Sequence, residues 1–120
     1  MNVRAIRGAI QIDADTPSLM QEAVTELMTT IMENNSLASS DLISVLFTCT
    51  PDLVSDFPAA SARAMGLGAV PLLCAVEMAV PASLPRTIRV MVHCVTARSQ
   101  AEISHIYLRG ATVLRKDLAQ

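Results

Sequence analysis

The sequence predicts an α/β (α+β) sandwich, in which a mixed five-stranded sheet carries one long and one short helix on one face. Two patterns indicate this: an amphipathic helical stretch from Pro17 to about Asn34, and apolar β-branched runs typical of strands. The third observation is size, because 120 residues with 52% hydrophobic content suit a single core. We expect one domain over residues 1–115 and a flexible tail over residues 116–120.

The first strand is predicted over Val3–Ile12, which alternates between apolar and small or charged residues. Arg7 lies between Ala5 and Ala9 on one face, which leaves space above its side chain. A pocket-lining arginine needs such space, although a strand-end arginine in solvent would fit the same segment.

The long helix is predicted to begin with Thr16 as its cap and Pro17 as its first residue. Its apolar residues recur at helical spacing and indicate core packing rather than a cofactor site. They are Leu19, Met20, Ala23, Val24, Leu27, Met28, Ile31 and Met32.

Three further elements follow from apolar runs and their boundaries. Leu42–Thr50 reads as a central strand that ends at Pro51, and Pro58–Met65 as a two-turn helix that ends before Gly66. Val70–Val80 is predicted as a strand, with Pro71 indicating an edge position or the strand start.

The stretch Arg86–Val95 predicts a buried strand that contains an arginine. Alternation places Ile88, Val90, Val92 and Cys94 on the core face, and Arg89, Met91 and His93 on the other. A buried guanidinium requires a partner or an anion. A lone carboxylate in an apolar run must likewise be paired or protonated if it is buried. We therefore expect Glu77 and Arg89 to meet on neighbouring strands joined by the loop Pro81–Pro85, with a purely structural ion pair as the alternative.

The last elements are an acidic-capped turn over Ser99–Glu102, a strand over Ile103–Leu108 that carries Tyr107, and the stretch Gly110–Leu114. With both helices on one face of the sheet, the face with small and charged residues would stay exposed in a monomer. Subunit association is the expected cover.

The composition of the chain indicates which ligands and which cellular location to expect. Eight of the nine basic residues are arginine, which suits bidentate recognition of carboxylates or phosphates, although genomic base composition would explain the bias equally well. Without a basic run or aromatic platforms, we expect no nucleic-acid binding. An odd number of cysteines and no long apolar segment predict a cytoplasmic protein with reduced thiols and no membrane span.

Familiar catalytic motifs are absent from the sequence. It contains no glycine-rich phosphate loop, no nucleophile elbow and no metal-ligand spacing, so no metal is expected. His93 and His105 are read as structural, and Cys74 as a pocket-lining residue rather than a nucleophile. What remains is a site for a small polycarboxylate whose charge shifts during reaction.

Five segments together resemble the monofunctional AroH class of chorismate mutases. They are VRAIRGA at residues 3–9, TPDLVSDFPAASAR at 50–63, VPLLCAVEM at 70–78, RTIRVMVH at 86–93 and HIYLRGATVLR at 105–115. This resemblance implies a homotrimeric pseudo-barrel with active sites between subunits. It also implies the Claisen rearrangement of chorismate to prephenate in aromatic amino-acid biosynthesis, without cofactor, metal or covalent intermediate.

The resemblance also implies roles for individual residues. Arg89 would lie beside the breaking ether bond, Glu77 would accept a hydrogen bond from the substrate hydroxyl, and Arg7 with Tyr107 would bind carboxylate. Cys74 would line the pocket near that hydroxyl. Further substrate-binding residues would be Phe57, Ala59, Arg63 and Leu114, all from the neighbouring subunit, and Arg115.

The chain departs from the family at two places. Ala60 stands where the family commonly has lysine, and Lys116-Asp117 replaces a Pro-Asp pair. Two other functions remain open at this point: a trimeric small-ligand-binding or imine-deaminating protein of similar architecture, and a structural oligomer that binds no ligand.

Overall fold

The computed structural model describes residues 1–118 and, for side chains, residues 1–115. Five strands form one mixed sheet in the order β3-β2-β4-β1-β5. The strands are β1 Asn2–Gln11, β2 Leu42–Cys49, β3 Leu72–Val76, β4 Thr87–Thr96 and β5 Ile106–Leu108, and the helices are α1 Pro17–Asn34 and α2 Pro58–Ala62. The predicted mixed five-stranded sheet with one long and one short helix is confirmed.

Helix α1 begins where its sequence predicts, and a residue distant in the chain binds its last turn. The backbone N–H of Leu19 donates to Thr16 Oγ1 at 3.2 Å, and Pro17 occupies the first turn, where its missing N–H costs nothing. At the other end the guanidinium of Arg98 donates to the carbonyl of Asn34 at 2.7 Å. Most of the predicted apolar stripe is buried against the sheet.

The core lies between helix α1 and one face of the sheet. The alternation predicted for β4 is confirmed, because Ile88, Val92 and Cys94 are fully buried on that face. Phe47 of β2 and Ile10 of β1 are fully buried with them. The opposite face, here called the open face, lies away from α1 and carries Arg89 and the residues in register with it.

Strand β3 is shorter than predicted. It covers Leu72–Val76 rather than Val70–Val80, and it lies at the sheet edge, parallel to β2. Proline cannot donate to a ladder, so Pro71 precedes the strand and contributes only its carbonyl, to Val45. The N–H of Glu77 still donates to the carbonyl of Cys49 at 2.8 Å, after which the chain leaves the sheet.

Helix α2 is likewise shorter than the predicted Pro58–Met65. Regular helix covers Pro58–Ala62 and passes into a wider π-type turn over Arg63–Leu67. Gly66 lies in that turn at φ 104°, a conformation that glycine adopts without strain.

The C-terminal region differs most from the prediction. The turn at Gln100–Glu102 is confirmed, but strand β5 covers only Ile106–Leu108 instead of Ile103–Leu108. A 3-10 segment, here called the C-terminal segment, then runs from Arg109 to Leu118. It includes the first part of the predicted tail 116–120, whose last two residues lie outside the described residues, and the flexibility of that tail stays a prediction.

Salt bridges attach the start of the C-terminal segment to helix α1. The guanidinium of Arg109 lies 2.8 Å from a Glu26 carboxylate oxygen and 3.6 Å from one of Glu22. Gly110 follows directly, and a Cβ at this position would collide with the Gln11 carboxamide. The segment is therefore held between α1 and the end of β1.

Candidate functional site

The open face brings four of the predicted catalytic residues around one pocket of about 190 Å³. It is lined by Arg7, Gly8, Leu46, Thr48, Glu77, Arg89, Val90, Met91 and Tyr107. The register explains the grouping: Arg89 pairs with Ala9 of β1, and Ala9 pairs in turn with Tyr107 of β5. Ala9 is small and fully buried, so the larger side chains on either side of it face a common space.

The expectation that Arg89 is buried is wrong for the single chain. Its side chain is 47% exposed, because the strand buries only the alternate face of β4 under α1. An exposed guanidinium needs no internal anion. The exposed N–H groups of Arg89 are therefore available to a ligand or to a second subunit.

Glu77 and Arg89 approach each other, but not on neighbouring strands as predicted. Strand β2 lies between β3 and β4, and its residue Thr48 is in register with Arg89. Glu77 Oε2 lies 3.7 Å from an Arg89 nitrogen and accepts a hydrogen bond of 2.7 Å from Thr48 Oγ1. The carboxylate is thus fixed by the threonine and faces the guanidinium across β2.

Arg7 and Tyr107 complete the pocket from β1 and β5. The side chain of Arg7 is half-buried on the open face, as expected for an arginine set between small residues. Two guanidinium groups, one carboxylate and one phenol therefore surround the pocket. This set can bind carboxylates through the arginines and a hydroxyl through Glu77.

His105 holds the backbone of Arg7 in place. Its Nδ1 accepts the N–H of Arg7 at 3.0 Å, next to the point where strand β5 begins. The preceding Ser104 is fixed in turn by the buried Asn35, which accepts its N–H at 2.8 Å and donates to its carbonyl at 2.9 Å. Burial, followed by the charges of Arg7 and Arg115, lowers the pKa of His105.

The lowered pKa of His105 predicts a pH-dependent stability. The pKa of His105 is lowered on folding, so below about 6.5 the unfolded chain binds a proton that the folded chain resists. Stability is therefore complete above that pH and falls as the pH drops towards the folded pKa. We expect the urea midpoint of the wild type to fall from pH 7.5 to 5.5.

His105→Asn is the matched variant for this prediction, since an amide oxygen can still accept the Arg7 N–H but does not titrate. Its urea midpoint should fall less over the same pH range at the same protein concentration. Every carboxylate and His93 are common to both proteins, so the difference between them reports residue 105. Parallel pH profiles would contradict the assignment.

Cys74 does not line the Arg89 pocket in the single chain. It pairs with Phe47 of β2 and so lies on the opposite face of the sheet from Thr48. There it borders a second cleft, of about 480 Å³, together with Phe57 and Cys49. Burial raises the pKa of Cys49 to about 12, which makes that thiol a poor nucleophile.

The other predicted substrate-binding residues also lie away from the pocket within one chain. Ala59 is buried in α2, and Arg63 is exposed at the end of that helix. Leu114 and Arg115 are half-buried in the C-terminal segment, and Arg115 is close enough to influence the pKa of His105. The predicted residues therefore lie in three places: around Arg89, around Phe57 and α2, and in the C-terminal segment.

Thr48 is the polar pocket residue that the sequence interpretation missed. The only sequence signal for Thr48 was the alternation of β2, which places it on the face opposite Phe47. The strand order is needed to show that Thr48 meets Glu77 and Arg89. Leu46 and Met91 provide apolar walls, and Met91 was expected on this face. Within residues 1–118, no helix is long and apolar enough to cross a membrane.

Comparisons with known proteins all point to one family. The sequence profile of chorismate mutase type I matches residues 3–118. Chorismate mutase AroH of Thermus thermophilus is 48% identical over 117 residues, which cover 97% of this chain and 96% of that protein. Chorismate mutase AroH of Bacillus subtilis is 38% identical over 120 residues, or 99% and 94% of the two chains.

A solved structure agrees with these sequence matches. Chorismate mutase from Clostridium thermocellum superimposes with a TM-score of 0.89 at 41% identity. The superposition covers 91% of this chain and 97% of that one. Fold and sequence therefore lead to the same group of proteins.

Proposed function

The chain belongs to the chorismate mutase type I family and isomerises chorismate to prephenate, and we propose that the reaction takes place in the pocket on the open face. One observation supports this location most strongly: Arg7, Glu77, Arg89 and Tyr107 line the same pocket. The reaction is a step of aromatic amino-acid biosynthesis, on the route to phenylalanine and tyrosine.

Arg89 stabilises the charge that develops during the rearrangement. The ether C–O bond of chorismate breaks while a new C–C bond forms within the same molecule, so no atom is gained or lost. Bond breaking runs ahead of bond making, and the ether oxygen becomes partly negative. A guanidinium beside that oxygen binds the transition state more strongly than the substrate, which is the condition for catalysis.

The other three residues restrain the substrate. Arg7 and Tyr107 hold the carboxylate of the enolpyruvyl side chain, and Glu77 accepts the hydrogen bond of the ring hydroxyl. Together they fix the conformer in which the two reacting carbons approach each other. The proposed mechanism uses no general base, because the rearrangement transfers no proton.

Typical free-energy contributions indicate that electrostatic stabilisation and conformational restraint act together in lowering the barrier. Enzymes lower their barriers by at least about 8 kcal/mol, whereas one well-placed hydrogen-bond donor contributes about 3 to 4 kcal/mol. Arg89 alone therefore does not account for an enzyme of ordinary power. Positioning by Arg7, Glu77 and Tyr107 supplies much of the remainder.

The assembly we propose is a homotrimeric pseudo-barrel with each site between two subunits. Phe57, Ala59, Arg63 and Leu114 would then approach the Arg89 pocket of the adjacent chain. Large apolar side chains on and around the edge strand β3 support an interface, since Phe57 and Leu73 are each 67% exposed in the single chain and Met78 is 77% exposed. Cys74, which borders the Phe57 cleft, would enter the site from that side, and Arg115 from the C-terminal segment.

The turnover of chorismate tests the function directly. Purified protein should accelerate the loss of chorismate absorbance, and acid treatment should convert the product to phenylpyruvate. A ligand-binding protein or a structural oligomer would leave the absorbance at its uncatalysed rate, and that result would refute the mutase assignment. The cytoplasmic location stays a prediction that this assay does not address.

A further inference from the structure

We propose that Thr48 is a positioning residue for the rearrangement, because its hydroxyl fixes the Glu77 carboxylate and keeps that carboxylate from pairing closely with Arg89. This inference rests on the function proposed above, in which Glu77 binds the substrate hydroxyl and Arg89 the ether oxygen. It adds a residue for which sequence reasoning gave no role.

The proposal is based on the arrangement of Thr48, Glu77 and Arg89. Thr48 stands on β2 directly opposite Arg89, and the N–H of Glu77 is bonded to the next residue of β2, Cys49. The backbones of Arg89 and Glu77 are therefore both held against β2, from its two sides. The direction of the Glu77 carboxylate therefore depends on side-chain torsions.

Thr48 is the stiffer member of the Thr48–Glu77 pair. A β-branched side chain on a strand has few χ1 rotamers, whereas the terminal torsion of glutamate is broad. The hydrogen bond from Thr48 Oγ1 to Glu77 Oε2 is short, at 2.7 Å, as expected for a hydroxyl that donates to a carboxylate. The threonine therefore determines the orientation of the carboxylate rather than the reverse.

Both observed partners of the carboxylate approach the same oxygen. Arg89 lies 3.7 Å from Oε2, which is beyond hydrogen-bond distance, while Thr48 donates to that oxygen. Oε1 is thereby presented as the acceptor for the substrate hydroxyl. The Arg89 N–H groups are not drawn into a bidentate bond with Glu77 and can be directed at the ether oxygen.

Loss of the Thr48 hydroxyl would free the Glu77 carboxylate from its hydrogen bond. The freed carboxylate can rotate and approach Arg89 as a bidentate ion pair, the geometry that guanidinium and carboxylate favour. That pairing would neutralise the charge that stabilises the transition state. The effect should appear mainly in kcat, since Arg89 acts on the transition state more than on the bound substrate.

Thr48→Val is the principal test, since valine keeps the β-branched shape and replaces the hydroxyl by a methyl group. We expect its kcat for chorismate to fall about tenfold or more, while Thr48→Ser recovers most of the wild-type value. Ser44→Ala is the control, because it removes a hydroxyl from the same face of β2 four residues before Thr48, where β2 pairs with His93 instead of Arg89. Should Thr48→Val melt well below the wild type, Thr48→Ala takes its place.

A double-mutant cycle with Glu77→Gln separates positioning from a general structural role. If Thr48 acts through Glu77, Thr48→Val should change kcat by less than about twofold in the Glu77→Gln background. Full additivity would overturn the proposal, and so would a Thr48→Val enzyme of wild-type kcat. A Glu77→Gln enzyme with wild-type activity would instead refute the proposed role of Glu77, and with it the reason for Thr48.

Discussion

Replacing Arg89 by alanine should lower kcat for chorismate by about a hundredfold or more while the protein remains folded. The side chain is 47% exposed and lies on the open face, so its removal leaves no cavity in the core and no buried unpaired partner. What is lost is the cation beside the ether oxygen. The measurement is the initial rate of chorismate loss over a range of substrate concentrations, together with the melting temperature.

Two companion variants sharpen this result. Arg89→Lys keeps the charge but loses the planar fork of donors, so its kcat should fall between those of wild type and Arg89→Ala. His93→Ala removes a side chain from the same face of β4, outside the pocket, and should leave kcat within about twofold. If Arg89→Ala turned over chorismate within a few-fold of the wild type, the assigned role would be wrong.

Mixing two inactive variants should restore activity if each site combines residues from two subunits. In the proposed trimer Arg89 and Arg63 of one site come from different chains, so Arg89→Ala and Arg63→Ala each inactivate every site. When the two are unfolded together and refolded at equal amounts, about one quarter of the sites should receive both arginines. We therefore expect recovery of roughly a quarter of the wild-type activity.

The control for this experiment pairs defects that belong to the same chain. Glu77 and Arg89 lie 3.7 Å apart within one subunit, so a mixture of Arg89→Ala with Glu77→Gln leaves every site with one defect. That mixture should show no recovery beyond the activity of its components. Equal recovery in both mixtures, or none in either, would contradict a site shared between subunits.

Alternation within single strands was predictable from sequence. The apolar residues Ile88, Val90 and Val92 indicated the core face of β4, and the structure confirms both this face and the opposite one with Arg89. Likewise Thr16 and Pro17 indicated the start of α1. These are local signals, because they depend on backbone geometry within a few residues.

Strand order was not predictable in the same way. Consecutive strands are often neighbours, which favoured β3 beside β4, but β2 lies between them and brings Thr48 into the site. No local pattern specifies that insertion. The same limitation explains the placement of Cys74, since only the pairing of β3 with β2 shows which face its side chain occupies.

The short lengths of β3 and β5 and the C-terminal segment were also not predictable from the sequence. Val70–Val80 is apolar apart from Glu77, yet pairing stops at the sheet edge after Val76 because β2 itself ends at Cys49. The C-terminal segment is held by Arg109 through contacts with α1, which lies far away in the chain. Long-range contacts of this kind override local propensity.

We propose that the pocket accelerates the rearrangement by restraint and charge, without moving a proton. The solvent isotope effect on kcat tests it, and it should be measured for wild type and for Arg89→Lys, whose slower chemistry limits turnover. We expect kcat in H₂O and D₂O to agree, with a ratio of about 1 in both proteins. A ratio of about 2 or more in the slower variant would indicate that Glu77 transfers a proton in the transition state, and would contradict the mechanism.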